Sequence, residues 1–339
     1  MRTIRRLGPT LFLAGALLLG TTSSLATSAD SYATTSTRHF TQPTSISTGG
    51  AEMWVANSLG NSVTELDATD GLVVRVIKSR AGDLSSPVAI AASDSHVWVA
   101  GHASNRVTEL DATNGSLLRV ITATADRFDG PTAIAASGDH VWVTNYGDSS
   151  VTELNAKNGS LVRVIDATAD GIKSPFGVAV SDSHVWVANN SGNSVTELNE
   201  KNGSLIAVIS APTDGFSGPS AIVAIHGHVW VTNGDGNSIT ELNAKNGSLV
   251  RVIDATADGF EGPFGIAVSD SHVWVTNGVA NSVTELNATN GSLVSVMSKR
   301  FDDPDAVAVN GDFVWVANFA NDSVNQIDDS NGLLKAVIR

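Results

Sequence analysis

Tryptophan recurs on a fixed interval, and that interval constrains the fold more than any other feature. Trp54, Trp98, Trp142, Trp186, Trp230, Trp274 and Trp315 are 44 residues apart five times and 41 at the last step. They are all the tryptophans in the chain. Proline follows the same register at Pro43, Pro87, Pro131, Pro175, Pro219, Pro263 and Pro304. A period of about 40 to 45 residues with strand-like content marks propeller blades, whereas helical repeats would space their apolar residues by 3.6. Within one unit, PFGIAVSD, HVWVTN, NSVTELNA and SLVSVM read as four short strands bounded by turn residues. Asp70-Gly71 and the Asn-Gly pairs at 114, 158, 202, 246, 290 and 331 separate the last two, because such pairs accept the positive φ of a tight hairpin. The expected fold is an all-β, seven-bladed β-propeller with four antiparallel strands per blade, over residues 43–339.

The N-terminus places Arg2, Arg5 and Arg6 before the apolar run 11–20 and small residues through Ala29. That order predicts a cleaved secretory signal over 1–29, with 30–42 as a linker and an extracytoplasmic protein beyond it. The apolar run falls short of the roughly 20 residues a spanning helix needs, so no membrane span is expected. The chain has no cysteine, which excludes a lipid-modified cysteine anchor, disulfides and thiolate metal sites. A formal charge of -14 argues against phosphate-backbone binding, so no nucleic-acid partner is expected. A monomer is expected.

The units resemble the YVTN and NHL classes of propeller repeat, with HVWVANNSGNSVTELN standing in the place of those families' second and third strands. The resemblance implies four-stranded sheets set radially around a central channel. Both ends of the repeated region fall at blade boundaries, which predicts closure by packing of blade seven on blade one. Residues 33–41 offer the alternative of an added strand.

Repetition itself tells against most tempting sites. Each tryptophan sits between apolar neighbours on a second strand, where a ring fills the gap between blades. His96, His140, His184, His228 and His272 stand two residues before a tryptophan, too far apart around a ring to share one ion, and are assigned to hydrogen bonding at the start of the strand. Glu65, Glu109, Glu153, Glu197, Glu241 and Glu285 recur in VTEL or ITEL, with Gln326 in the seventh unit. Pairing with Arg75, Arg119, Arg163, Arg251 or Lys335 on fourth strands is the structural reading, and charge on that outer strand would discourage edge-to-edge association. The two DATADG stretches, 166–171 and 254–259, resemble calcium loops but have threonine at the middle place and no bidentate glutamate. No Walker loop, nucleophile elbow or zinc motif is present, and no metal or cofactor is expected.

Function is therefore sought where the units disagree. Directly after the second strand they carry Ser58, His102, Tyr146, Asn190, Gly234, Gly278 and Phe319, with Arg106, Asp148 and Asp235 nearby. The candidate ligand-binding rim is His102, Arg106, Tyr146, Asp148, Asn190, Asp235 and Phe319. It points to a secreted, non-catalytic binding or scaffolding propeller that takes an extracellular protein, glycan or small ligand. The alternative is a propeller enzyme similar to the streptogramin lyases, which this resemblance describes as using His and Glu with a divalent metal at the channel. No asymmetric His and Glu cluster matching theirs is identifiable. A purely architectural role is the third reading, and the calcium ligands and stacked aromatic of a quinone-dependent dehydrogenase are not recognisable.

Overall fold

The computed structural model describes residues 38–80, 82–122, 128–166, 171–210, 212–254 and 259–339. Residues 1–29, expected to be a secretory signal, and the interiors of both DATADG stretches lie outside the described residues. The chain divides into two compact units, 1–38 and 39–339.

Among the described residues of the second unit run 28 strands, β1 (Pro43–Gly49) to β28 (Leu334–Ile338), in seven four-stranded antiparallel sheets with strands in sequence order. Neighbouring first strands pack around the whole ring, and that of blade seven packs on β1. Second and third strands are buried along nearly their full length, as in Glu52–Asn57 and Ser62–Asp67, because each sheet has a neighbour on both faces. Fourth strands are half exposed. The connections between blades and the loops between second and third strands form one rim, here the upper. The first-to-second and third-to-fourth hairpins form the lower. No described helix is long and apolar enough to cross a membrane.

All seven tryptophans are at most 1% exposed, and each packs into the next blade. Trp54 meets Leu84, Val97 and Leu110 of blade two, and Trp315 closes the ring against Met53, Val55 and Leu66 of blade one. Burying about 200 Å² of ring at roughly 25 cal/mol/Å² gives an upper limit of about 5 kcal/mol each.

A second sevenfold device crosses the upper rim. The residue two before the first valine or isoleucine of the third strand takes a left-handed φ of 45° to 57°: Asn61, Asn105, Ser149, Asn193, Asn237, Asn281 and Asp322. Each side-chain oxygen accepts a backbone N–H from the connection to the next blade, as in Ser86 to Asn61 (2.7 Å) and Gly130 to Asn105 (2.8 Å). The seventh bond, Gln42 N–H to Asp322 Oδ1 at 2.8 Å, joins the two ends of the ring. Closure is thus by packing of blade seven on blade one, as expected, with Asn310 Nδ2 donating to the Gly50 carbonyl and Phe40 buried in the seam. Residues 38–41 form no strand.

Candidate functional site

The repeated polar residues pair within each blade and reach the next blade through their arginines. His96, His140, His184 and His228 place Nδ1 2.6 or 2.7 Å from Oε1 of Glu109, Glu153, Glu197 and Glu241. Arg75, Arg119, Arg163 and Arg251 place Nε 2.7 or 2.8 Å from Oε2 of Glu65, Glu109, Glu153 and Glu241. The register makes this pairing direct, since Glu153 lies opposite both Trp142 and Arg163. Each arginine continues inward to a turn carbonyl of the next blade, on Thr113, Lys157, Lys201 and Thr289. The carbon stem of Arg163 also explains the glycine of the next Asn-Gly turn: a Cβ on Gly203, at φ +68°, would lie 2.7 Å from Arg163 Cδ. Lys335 is one residue out of register, because Gln326 faces Ala336, and it pairs instead with Asp328 at 3.0 Å.

Burial pushes the carboxyls of Glu65, Glu109, Glu153, Glu197 and Glu241 above the usual glutamate value, against the pull of their cationic partners. The partners differ between blades: Glu65 has Arg75 but Glu52 in the histidine's place, whereas Ala207 faces Glu197 and His184 is its ion-pair partner among the described residues. The histidines expected to serve the strand start thus serve the glutamates. In blade six His272 leans toward Asp329 as well, whose Oδ1 accepts the Trp274 indole N–H at 2.7 Å.

Several rim candidates turn out to hold adjacent blades together. His102 Nδ1 donates to the Pro131 carbonyl at 3.1 Å, and Asn190 Nδ2 to the Pro219 carbonyl at 3.2 Å. In blades one, three and five the equivalent proline carbonyl is taken by Thr44, Thr132 and Ser220. Arg106 donates to the Gly82 carbonyl at 3.1 Å in the blade where Gly101 replaces the usual asparagine, and Asp148 accepts from Ser150. Asp235 is exposed and Phe319 half-buried.

Tyr146 has a different setting. Its ring meets Phe176 edge-on at 6.2 Å, and Phe176 meets Phe264 edge-on at 5.7 Å. Phe176 is on blade four and Phe264 on blade six, so the contact spans blade five, whose residue at that position is the small Ser220. All three rings remain partly exposed. Phe176 and Phe264 line the central channel, a cavity of about 190 Å³ to which every first strand contributes. Directly after each proline the lining reads Thr44, Val88, Thr132, Phe176, Ser220, Phe264 and Asp305, and Asp305 is the only charged residue on it. The signal was present in the sequence: no other position of the first strand varies so widely from unit to unit.

A propeller with an aromatic and singly acidic channel mouth, braced by polar staples at every seam, is the class of protein these features define. Residues 78–337 match the virginiamycin B lyase family, and the chain belongs to that family. Among solved structures, virginiamycin B lyase from Staphylococcus aureus shares 18% identity at a TM-score of 0.70, covering 83% of this chain and 93% of that one. A catalytically inactive histidine-to-alanine variant of that enzyme with quinupristin gives 18%, 0.72, 86% and 96%. Kuenenia stuttgartiensis hydrazine synthase gives 16%, 0.72, 89% and 100%. No curated protein sequence matches.

The His and Glu donor set that the lyase resemblance implies does not fit the channel of this chain. Among the described residues no group of three or more His, Cys, Asp or Glu is placed to hold a metal ion. The recurrent histidines and glutamates are engaged with one another on neighbouring strands of the same blade, and the upper-rim candidate His102 is bonded through Nδ1 to a main-chain carbonyl.

Proposed function

We propose that this chain is a secreted, non-catalytic binding propeller whose ligand sits at the upper mouth of the channel. The observation that supports it is the row of three partly exposed rings, Tyr146, Phe176 and Phe264, on the channel side that also carries Asp305. Aromatic faces suit a small ligand with an apolar body and a cationic group, because the negative ring faces attract that charge, and the buried Asp305 adds negative potential to the same channel. Secretion rests on the N-terminal signal pattern alone.

The test is titration with benzyltrimethylammonium, with benzoate as the control, followed by NMR. Saturable binding of the cation that weakens about tenfold or more in Phe176→Ala and Phe264→Ala, at unchanged melting temperature, is expected. Equal binding of both probes, or no loss in either variant, refutes the site. A lyase is the second reading, favoured by family membership. Incubation with quinupristin, with and without added divalent metal, separates the two: turnover would overturn the non-catalytic reading.

A further inference from the structure

The seam between blades six and seven departs from the others in three ways. Ser295 stands where four blades have the inward arginine, and it donates to Glu285 Oε2 at 2.7 Å without reaching the next turn. The connection to Pro304 is three residues shorter than at the other steps. Its fourth residue before the proline is Arg300, with φ +69°, where Gly171, Gly215 and Gly259 hold the same left-handed backbone. A non-glycine residue there is strained, and such strain persists only where the surroundings impose it.

These departures leave an open groove of about 330 Å³ on the outer side of the ring, walled by Val296, Met297, Phe301 and Leu334 and ended by Lys299 and Arg300. Both cations are exposed, and among the described residues neither side chain forms an ion pair. The two are adjacent in sequence, in a chain of net charge -14. The seam between blades four and five provides a comparison, since Ala207 omits the arginine there too, yet residues 210–218 contain no cation. Loss of the arginine alone therefore does not account for the basic pair.

We infer that this groove is a site for a single-chain amphiphilic anion, an alkyl carboxylate whose chain lies along the apolar wall and whose carboxylate meets Lys299 and Arg300. An apolar trough closed by a cationic end matches both parts of such a molecule, and the guanidinium can bind a carboxylate with two parallel N–H bonds. The site is on the opposite side of the blades from the channel and rests on no part of the channel reading.

The probe is decanoate, titrated by calorimetry into the full chain, with decanol and decyltrimethylammonium as controls. Saturable decanoate binding at least tenfold tighter than either control is expected. Ser295→Arg, which restores the arginine of the other seams, should abolish it without lowering the melting temperature. Arg300→Gly, which removes the cation and relieves the backbone, should weaken it about tenfold while raising the melting temperature. No decanoate binding, binding of decanol as tight, or binding unchanged in Arg300→Gly overturns the inference. So does association seen only with phosphatidylglycerol vesicles, which would make the groove a membrane contact. Dimerisation lost in Ser295→Arg without decanoate binding would assign it to a second copy of the chain, and also overturns it.

Discussion

Replacing Arg163 by alanine tests the pairing of the repeated polar residues at its best-defined point. Glu153 is fully buried, with His140 2.6 Å from one oxygen and Arg163 2.8 Å from the other. Arg163→Ala removes one charge-assisted hydrogen bond to a buried carboxylate, worth about 1.5–3 kcal/mol, and the weak 3.4 Å bond to the Lys201 carbonyl. Arginine is 27% exposed, which screens part of this, and Glu197 shows that a buried glutamate persists here with histidine alone. The net loss should be about 2 kcal/mol, a fall of about 3 °C in melting temperature for a domain of this size. The pH dependence follows from the direction of the shift. Burial already raises the Glu153 pKa above its unfolded value, so folding takes up protons in that window and stability falls as pH rises through the folded pKa. Without Arg163 that pKa rises further, so the deficit should shrink as pH is lowered from 8 toward 5. Thermal melts of wild type, Arg163→Ala, Glu153→Gln and the double variant at both pH values are the assay. An equal, pH-independent loss from Arg163→Ala in both backgrounds would mean that the arginine acts by packing on Gly203, and the electrostatic account would fail.

Three further outcomes follow from the same geometry. Asn237→Ala should cost about 1–2 kcal/mol by freeing the Gly262 N–H and placing alanine at φ +49°, whereas Asn237→Asp keeps the acceptor; chemical denaturation distinguishes them. Gly203→Ala should lower the melting temperature in wild type and do so less in Arg163→Ala, because its Cβ would collide with the arginine stem. Asp329→Ala should shift the Trp274 indole N–H resonance and leave the other six in place, since Asp329 accepts that proton directly.

The fold was legible because each structural requirement of a blade recurs seven times: a proline to start it, a tryptophan to fill the seam, an Asn-Gly turn to fold its outer hairpin. The cross-strand pairing of glutamate with arginine was legible from the same repetition. The inward path of the arginines was not, because it depends on the neighbouring blade's turn lying within reach of Arg163, a tertiary fact that no single unit contains. Nor did the repeated Asn61 to Asp322 position stand out, since a left-handed asparagine in a loop looks the same whether its side chain faces solvent or a distant N–H. The candidate site was legible only in Tyr146. Phe176, Phe264 and Asp305 lie at the start of first strands, which look like scaffold in sequence, and only ring geometry brings their side chains to one opening.

Variation between units is therefore informative about binding only after the contacts across each seam are subtracted. His102 and Asn190 differ from their counterparts, yet both do what Thr44, Thr132 and Ser220 do from a different position: they donate to the proline carbonyl of the next blade. Blades two and four carry Val88 and Phe176 where blades one, three and five carry the hydroxyl, so the long side chain replaces it from the loop. If that exchange is real, it should run in reverse. His102→Ala should cost about 1 kcal/mol, the usual net worth of one such bond. Val88→Thr in the same chain should recover most of it by reaching the Pro131 carbonyl as Thr44 reaches that of Pro87. Chemical denaturation of the single and double variants is the measurement. Failure of Val88→Thr to restore stability, with its hydroxyl shown by NMR to be bonded elsewhere, would return His102 to the set of residues free to bind a ligand.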